Sequence, residues 1–194
     1  MSVRAKTRLQ TGLTFGFLAC AWVYAAWDHH SIAAGPPSKE PSTKEASIEV
    51  LFSPAGGCRD RIIEELRKAK KQVRVQVYMF TAKEIADAII AAKKRGVDCE
   101  IIVDRSQEKM AYGRLPVLKR AGVSILIDGE HETANNKIML IDNRTIITGS
   151  YNYTKAAEEK NAENVLFIKG NTELFARYSA NYDDHKAHSK AYQK

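Results

Sequence analysis

From Ile48 onward the chain alternates short β-branched runs with segments whose apolar residues recur at helical spacing, and this restricts the fold more than any other feature. Ile48 to Phe52 reads as a strand that stops at Ser53-Pro54. After Gly56-Gly57, residues Ile62, Ile63, Leu66 and Ala69 share one helical face, and Arg59, Arg61, Arg67 and Lys68 take the other. Val73, Val75, Val77 and Met79 alternate with Arg74, Gln76 and Tyr78, which is strand periodicity. Residues 82–94 return to helical spacing through Ile85, Ala88, Ile89 and Ala92, with Gly96 placed to end the helix. Cys99 to Val103 predicts a strand, 107–121 a helix ending at Gly122, and 123–127 a strand. Ile138 to Ile141 and Thr145 to Thr148 are two more strands, joined through Asp142-Asn143-Arg144. Val165 to Ile168 is the last strand and 171–190 a polar helix. Such alternation implies an α/β fold, a single mixed sheet sandwiched between helices. The unbroken apolar run Ile138–Ile141 predicts a central strand buried on both faces. No internal repeat is present.

The alternation begins late because the first 47 residues have a different character. Arg4, Lys6 and Arg8 form a basic start, followed by Leu9 to Trp27 without a charge. Nineteen residues in a helix reach roughly 28 Å, about the thickness of a bilayer core. A cleavable export signal fits the basic start and the small residues of Ser31-Ile32-Ala33 before Ala34. An uncleaved anchor fits the length and the aromatic end at Trp22, Tyr24 and Trp27. Phe17-Leu18-Ala19-Cys20 is a weak match to a lipoprotein box. Residues 1–34 are therefore expected to be an export signal or membrane anchor, with possible membrane association through 9–27. The domain would then lie outside the cytoplasm, periplasmic or held at the inner membrane. Residues 35–47, with Pro36, Pro37, Pro41, serines and alternating Lys and Glu, read as a stiff solvated tether. The folded body is 48–194.

Thirty basic residues against 23 acidic ones give the chain a formal charge of +7. Without residues 1–34 the balance is 27 to 22, still +5. That excess favours a polyanionic partner, nucleic acid or an anionic membrane surface. Hydrophobic residues, 44% of the chain, suffice for a packed core. Cys20, Cys58 and Cys99 are too few and too scattered for a disulfide scaffold or a zinc site. Cys58 and Cys99 could pair in an oxidising compartment, although Cys99, alternating with Ile101, reads as core. Gly-rich phosphate loops, HExxH and paired CxxC motifs are absent, and no cofactor is expected.

The chemistry concentrates between Asn135 and Asn164. Positions two apart on a strand share a face, so 135 and 137 point together, as do 150 and 152 in extended chain. Lys137, Ser150 and Asn152 would offer a phosphate one cation and neutral donors. Asp142 sits at an odd offset from Lys137 and reads as a structural carboxylate holding the turn. Glu163 could orient an imidazole by accepting its second N–H. Lys93-Lys94-Arg95 reads as a solvated helix end. His185, Lys186, His188 and Lys190 could touch phosphates, but a frayed tail is the simpler reading.

Lys137, Asp142, Gly149 and Ser150 fall on the spacing Lys, four residues, Asp, six residues, Gly-Ser, with Asn152 following. This resembles the phospholipase D superfamily, whose signature opens with His-x-Lys. Thr154-Lys155-Ala156-Ala157, Asn161-Ala162-Glu163-Asn164, Phe80-Thr81-Ala82 and Ala92-Lys93-Lys94-Arg95-Gly96-Val97 resemble its small bacterial nucleases. The likeness spans about Ile48 to Tyr182. It implies a phospholipase D-like fold and metal-independent cleavage of a phosphodiester through a phosphohistidine. It also implies a homodimer, because that chemistry needs two His-x-Lys units and this body holds one.

One position departs from the pattern. Where the resemblance calls for the nucleophilic histidine, the chain has Asn135. An amide nitrogen neither attacks phosphorus nor titrates near neutrality. Loss of a nucleophile costs on the order of 10⁶ in turnover in comparable hydrolases. His131, four residues upstream and roughly 13 Å away in extended chain, is poorly placed to substitute. The expectation is a nearly inactive form of an otherwise complete non-specific endonuclease acting on DNA and possibly RNA. The alternatives are a phosphodiesterase of cardiolipin-type phospholipid and a non-catalytic nucleic-acid binder.

Overall fold

The computed structural model describes residues 46–193, so the expected leader and nearly all of the expected tether lie outside the described residues. The elements run β1 (Ser47–Ser53), α1 (Cys58–Lys68), β2 (Gln72–Val77), α2 (Lys83–Lys94), β3 (Asp98–Asp104), α3 (Leu115–Arg120) and β4 (Ser124–Asp128). They continue with β5 (Lys137–Ile141), β6 (Thr145–Gly149), α4 (Lys155–Glu159), β7 (Glu163–Lys169), α5 (Thr172–His188) and β8 (Lys190–Ala191). All eight strands form one sheet in the order β1-β7-β6-β5-β2-β3-β4-β8. The neighbours β2, β3 and β4 are parallel and every other pair is antiparallel. The expected mixed sheet is thus present, with β5 near its centre.

Strand parity divides the core into two layers. Val73, Val75, Val77, Cys99, Ile101, Met139, Ile141, Ile147, Val165 and Phe167 pack with Ile62 and Leu66 of α1 and Ile85 and Ile89 of α2. The intervening Ile102, Ile138, Leu140, Ile146 and Ile168 pack on the opposite face with Phe175 and Tyr182 of α5. Ile138 to Ile141 is therefore buried on both sides, as its unbroken apolar run requires. Cys58 and Cys99 are both free and buried, so no bridge joins them, and burial pushes the Cys99 thiol up to about 11.

Two expectations need correction, on the helix over 107–121 and on the tail. The helix expected over 107–121 is broken: a 3₁₀ turn spans Arg105–Lys109, and α3 begins only at Leu115. Proline has no N–H and is tolerated in a helix's first turn, so Pro116 sets the start of α3. The basic end of α2 is solvated at Lys94 and Arg95, as expected, and Arg95 Nη2 also donates to the Leu66 carbonyl at 2.8 Å, tying α2 to the end of α1. The tail is not frayed. Tyr192 N–H donates to Ile125 O at 2.9 Å, Lys119 Nζ donates to Tyr192 O at 2.6 Å, and His185 is held against the buried Asp128.

At the far end of the β5–β6 hairpin, Asp142 and Asn143 have φ of 54° and 57°, the left-handed pair that a tight hairpin turn demands and that Asp and Asn tolerate. The Asp142 carboxylate accepts the backbone N–H groups of Lys70, Lys71 and Gln72 at 2.8, 2.7 and 3.0 Å, clasping the entry to β2. Burial disfavours its charge, but these donors outweigh burial and hold the carboxyl below its usual range. Asp142→Ala strands all three donors and is expected to cost about 2 kcal/mol in this partly solvated setting. Because the folded pKa is depressed, the contribution is complete above the ordinary carboxylate pKa of about 3.9 and is lost as pH falls through the lower folded value. Urea unfolding of parent and variant should therefore differ most at pH 7, and the gap should narrow in acid to the strain that alanine meets at this left-handed position. A gap that stays constant with pH would exclude the clasp.

Candidate active site

The sheet brings the sequence-predicted residues to its opposite end. Lys137 opens β5 beside Val77, the last residue of β2. Gly149 closes β6 beside Val165, and Glu163 opens β7 beside Ser53. The site thus lies where the parallel strands β2 and β3 reach their carboxyl ends, the usual place for ligands in open α/β sheets. Asp142, one strand length away, takes no part in it.

Position 135 is held from both sides. Ala134 N–H donates to Asp104 Oδ2 at 2.8 Å, and Tyr78 N–H donates to Asn136 O at 3.1 Å. Asn135 is left exposed between these anchors. Lys137 Nζ turns back to donate to Asn135 O at 2.7 Å and also contacts Asn135 Oδ1. The same ammonium lies 5.4 Å from the centroid of the Tyr78 ring. Burial lowers the Lys137 pKa below the ordinary lysine value, and the negative charge of Glu163 opposes that shift.

Gly149 and Ser150 lie against β7. A Cβ on Gly149 would come within 2.2 Å of the Asn164 carbonyl, and its φ of 150° is unfavourable for other residues, so glycine alone permits this approach. Ser150 N–H donates to Asn164 O at 3.2 Å. Ser150 Oγ accepts from Asn164 N–H at 3.1 Å and donates to Glu163 Oε2 at 2.5 Å. Asn161 Nδ2 donates to the other Glu163 oxygen at 2.9 Å. Glu163 is therefore engaged by Ser150 and Asn161 within its own chain. Asn152 Oδ1 accepts from Met79 N–H at 3.2 Å, which leaves Nδ2 as its donor.

His131 lies at the same end of the sheet but to one side of the site. Its Nδ1 lies 3.3 Å from Asp128 Oδ2 at the end of β4, three strands from β5 or roughly 14 Å at the usual spacing. Sequence reasoning passed over Tyr78 and Asp104, which position 134–137, and the grouping of Asp128 with His131, His185 and His188. The spacings Asp-x-x-His and His-x-x-His were the available signal for that group.

An ammonium beside an amide donor at a sheet end is suited to an oxyanion of phosphate. The family model described as "Cardiolipin synthase, PLD-like domain" matches residues 62–186. The chain belongs to the phospholipase D superfamily. It is 35% identical over 147 residues to a phospholipase D of Rickettsia typhi, covering 76% of this chain and 72% of that one. With a phospholipase D of Rickettsia conorii it is 37% identical over 142 residues, 73% of this chain and 70% of that one. The mitochondrial cardiolipin hydrolase of Danio rerio is 31% identical over 114 residues, 56% of this chain and 48% of that one. Among solved structures, the phospholipase D family member Nuc from Salmonella typhimurium superposes with a TM-score of 0.73 at 32% identity, over 77% of this chain and all of that one. The chain is thus a phospholipase D superfamily hydrolase of phosphodiester bonds, and its α/β fold matches that of Nuc.

Proposed function

We propose that the domain is a metal-independent phosphodiesterase of nucleic acid, an endonuclease acting on DNA and also RNA, and that it works as a homodimer. Asn135 stands in this reading at the position of the attacking histidine, so the present chain grips a phosphodiester and scarcely cleaves it. The observation that supports it best is the contact of the Lys137 ammonium with the side chain at 135, at the sheet end where Ser150 and Glu163 also meet. A phosphoryl group on residue 135 would sit against that ammonium. With histidine there, an imidazole nitrogen would bond to phosphorus while the P–O bond to the leaving strand breaks. The partner's imidazole would protonate the departing oxygen, and water would then release the phosphoryl group.

Each chain supplies half of such a site, which is the reason for proposing two-fold assembly with the paired Lys137 side chains near the axis. The edge strand β1 supports it, because Ile48, Val50 and Phe52 are exposed on one face and α5 contacts β4 and β5 rather than β1. Export or anchoring through Leu9–Trp27 would put the domain outside the cytoplasm.

The unaltered chain tests the ligand class without turnover. Its affinity for a DNA duplex is expected to fall linearly on a log–log plot against salt, with a slope of about −0.9 for each phosphate contacted. The particle should have the mass of two chains. A flat salt response would overturn the nucleic-acid reading. Exclusive binding to cardiolipin vesicles would favour the second reading, a phospholipid phosphodiesterase, which the cardiolipin hydrolase likeness supports.

A further inference from the structure

Four donor atoms converge at the end of β4. Asp128 is completely buried there, and His131, three residues on, turns its Nδ1 to 3.3 Å from Asp128 Oδ2. His185 and His188 lie on one face of α5, one turn apart. They bring Nδ1 to 2.6 Å and Nε2 to 3.3 Å from the same oxygen. The three rings are 4.8, 5.3 and 5.3 Å apart between centroids. All four donor atoms lie within 4.8 Å of one another.

Hydrogen bonding explains this grouping poorly. Three ring nitrogens crowd one carboxylate oxygen, and His188 Nε2 is buried at 3.3 Å yet off hydrogen-bonding direction, without a partner. If the rings are neutral, each must carry its proton on the nitrogen that faces Asp128, and one carboxylate oxygen is asked to accept from three donors. If they are charged, three cations share a single negative charge. A divalent ion at the centre removes both conflicts.

We propose that Asp128, His131, His185 and His188 form a structural zinc site. Imidazole nitrogens and a carboxylate oxygen suit tetrahedral zinc, whose bonds of about 2.0–2.1 Å set neighbouring donors roughly 3.3 Å apart. Two of the oxygen–nitrogen distances already have that value. His185 must move outward from 2.6 Å, and the widest separation must contract. His185 Nε2 lies 3.4 Å from the Asn136 amide, which with its oxygen turned inward would accept the remaining ring N–H. A cleft of about 470 Å³ bordered by Glu130, His188 and Lys190 provides the entry path.

The ion would fasten parts that apolar contact holds weakly. Among the seventeen residues of α5 only Phe175 and Tyr182 are buried. Zinc would join its last turn to β4 and to the loop that leads to Asn135. Its role is to position that loop, so the phosphoryl chemistry stays with Lys137 and residue 135.

The test uses the full-length chain in detergent, stripped with chelator and titrated with zinc alone. One zinc per chain is expected, and the Tm should rise by about 5–10 °C at a hundredfold excess over Kd. Cobalt in its place should give the visible bands of a tetrahedral site. His131→Ala and His188→Ala should each reduce bound zinc at least tenfold and abolish the rise in Tm. The zinc-free Tm of His131→Ala, altered at a half-exposed side chain, should stay near that of the parent. His29 and His30 are the other histidines of the chain, and replacing both with alanine should leave zinc binding intact. Failure to bind stoichiometric zinc, or zinc lost with His29 and His30 rather than with the cluster, would overturn the site.

Discussion

The Asn135→His variant is expected to cleave plasmid DNA on the order of 10⁶ times faster than the unaltered chain, the factor that a missing nucleophile costs in comparable two-step hydrolases. The argument is local. Ala134 and Asn136 are pinned to Asp104 and Tyr78, so the backbone at 135 is set before any side chain is chosen. Asparagine and histidine both put a polar atom about two bonds beyond Cβ, and the exposed site leaves room for the ring. Lys137 already contacts that atom. Offering labelled cardiolipin beside the plasmid decides between the two phosphodiester classes. Cutting should persist in EDTA, assayed well below the Tm of the chelated protein so that loss of a structural ion is not read as loss of chemistry. A folded, dimeric variant that cleaves neither substrate would remove residue 135 from the mechanism.

Strand parity is why so much of the fold could be read in advance. A residue such as Met139 and its neighbour Leu140 must face opposite layers, and both layers are apolar, so the central position of β5 follows from four letters. Parity also separated Asp142 from Lys137, but the three N–H groups that Asp142 clasps lie some seventy residues upstream and leave no local trace. The broken helix near 107–121 had the opposite cause. Its apolar spacing is genuine, yet Pro116 confines the start of α3. The strand β8 has two residues and exists because β4 offers an edge, which no window of sequence can show. The histidine cluster was missed for the same reason, since His131 and His185 meet through the sheet and not through the chain.

In the Asn135→His background, Lys137→Gln is expected to lower kcat by about 10² to 10³, the usual effect of removing one preorganised donor to a developing oxyanion. The size of the loss alone would not distinguish a role on the phosphate from a local one, because the Lys137 ammonium also lies over the Tyr78 ring. The pH profile does. Lysine stabilises the phosphoryl oxygens only while protonated, and burial has lowered its pKa, so the alkaline limb should fall before the ordinary lysine value of about 10.4. The negative charge of Glu163 works against that shift. Glu163→Gln removes the charge while keeping an acceptor for Ser150, so it should move the alkaline limb to still lower pH. Lys137→Arg, charged at every accessible pH, should abolish the limb while losing rate through its different geometry. An alkaline limb that none of these changes displaces would assign it to another group, and would leave Lys137 as a support for the loop rather than the cation that receives the phosphate.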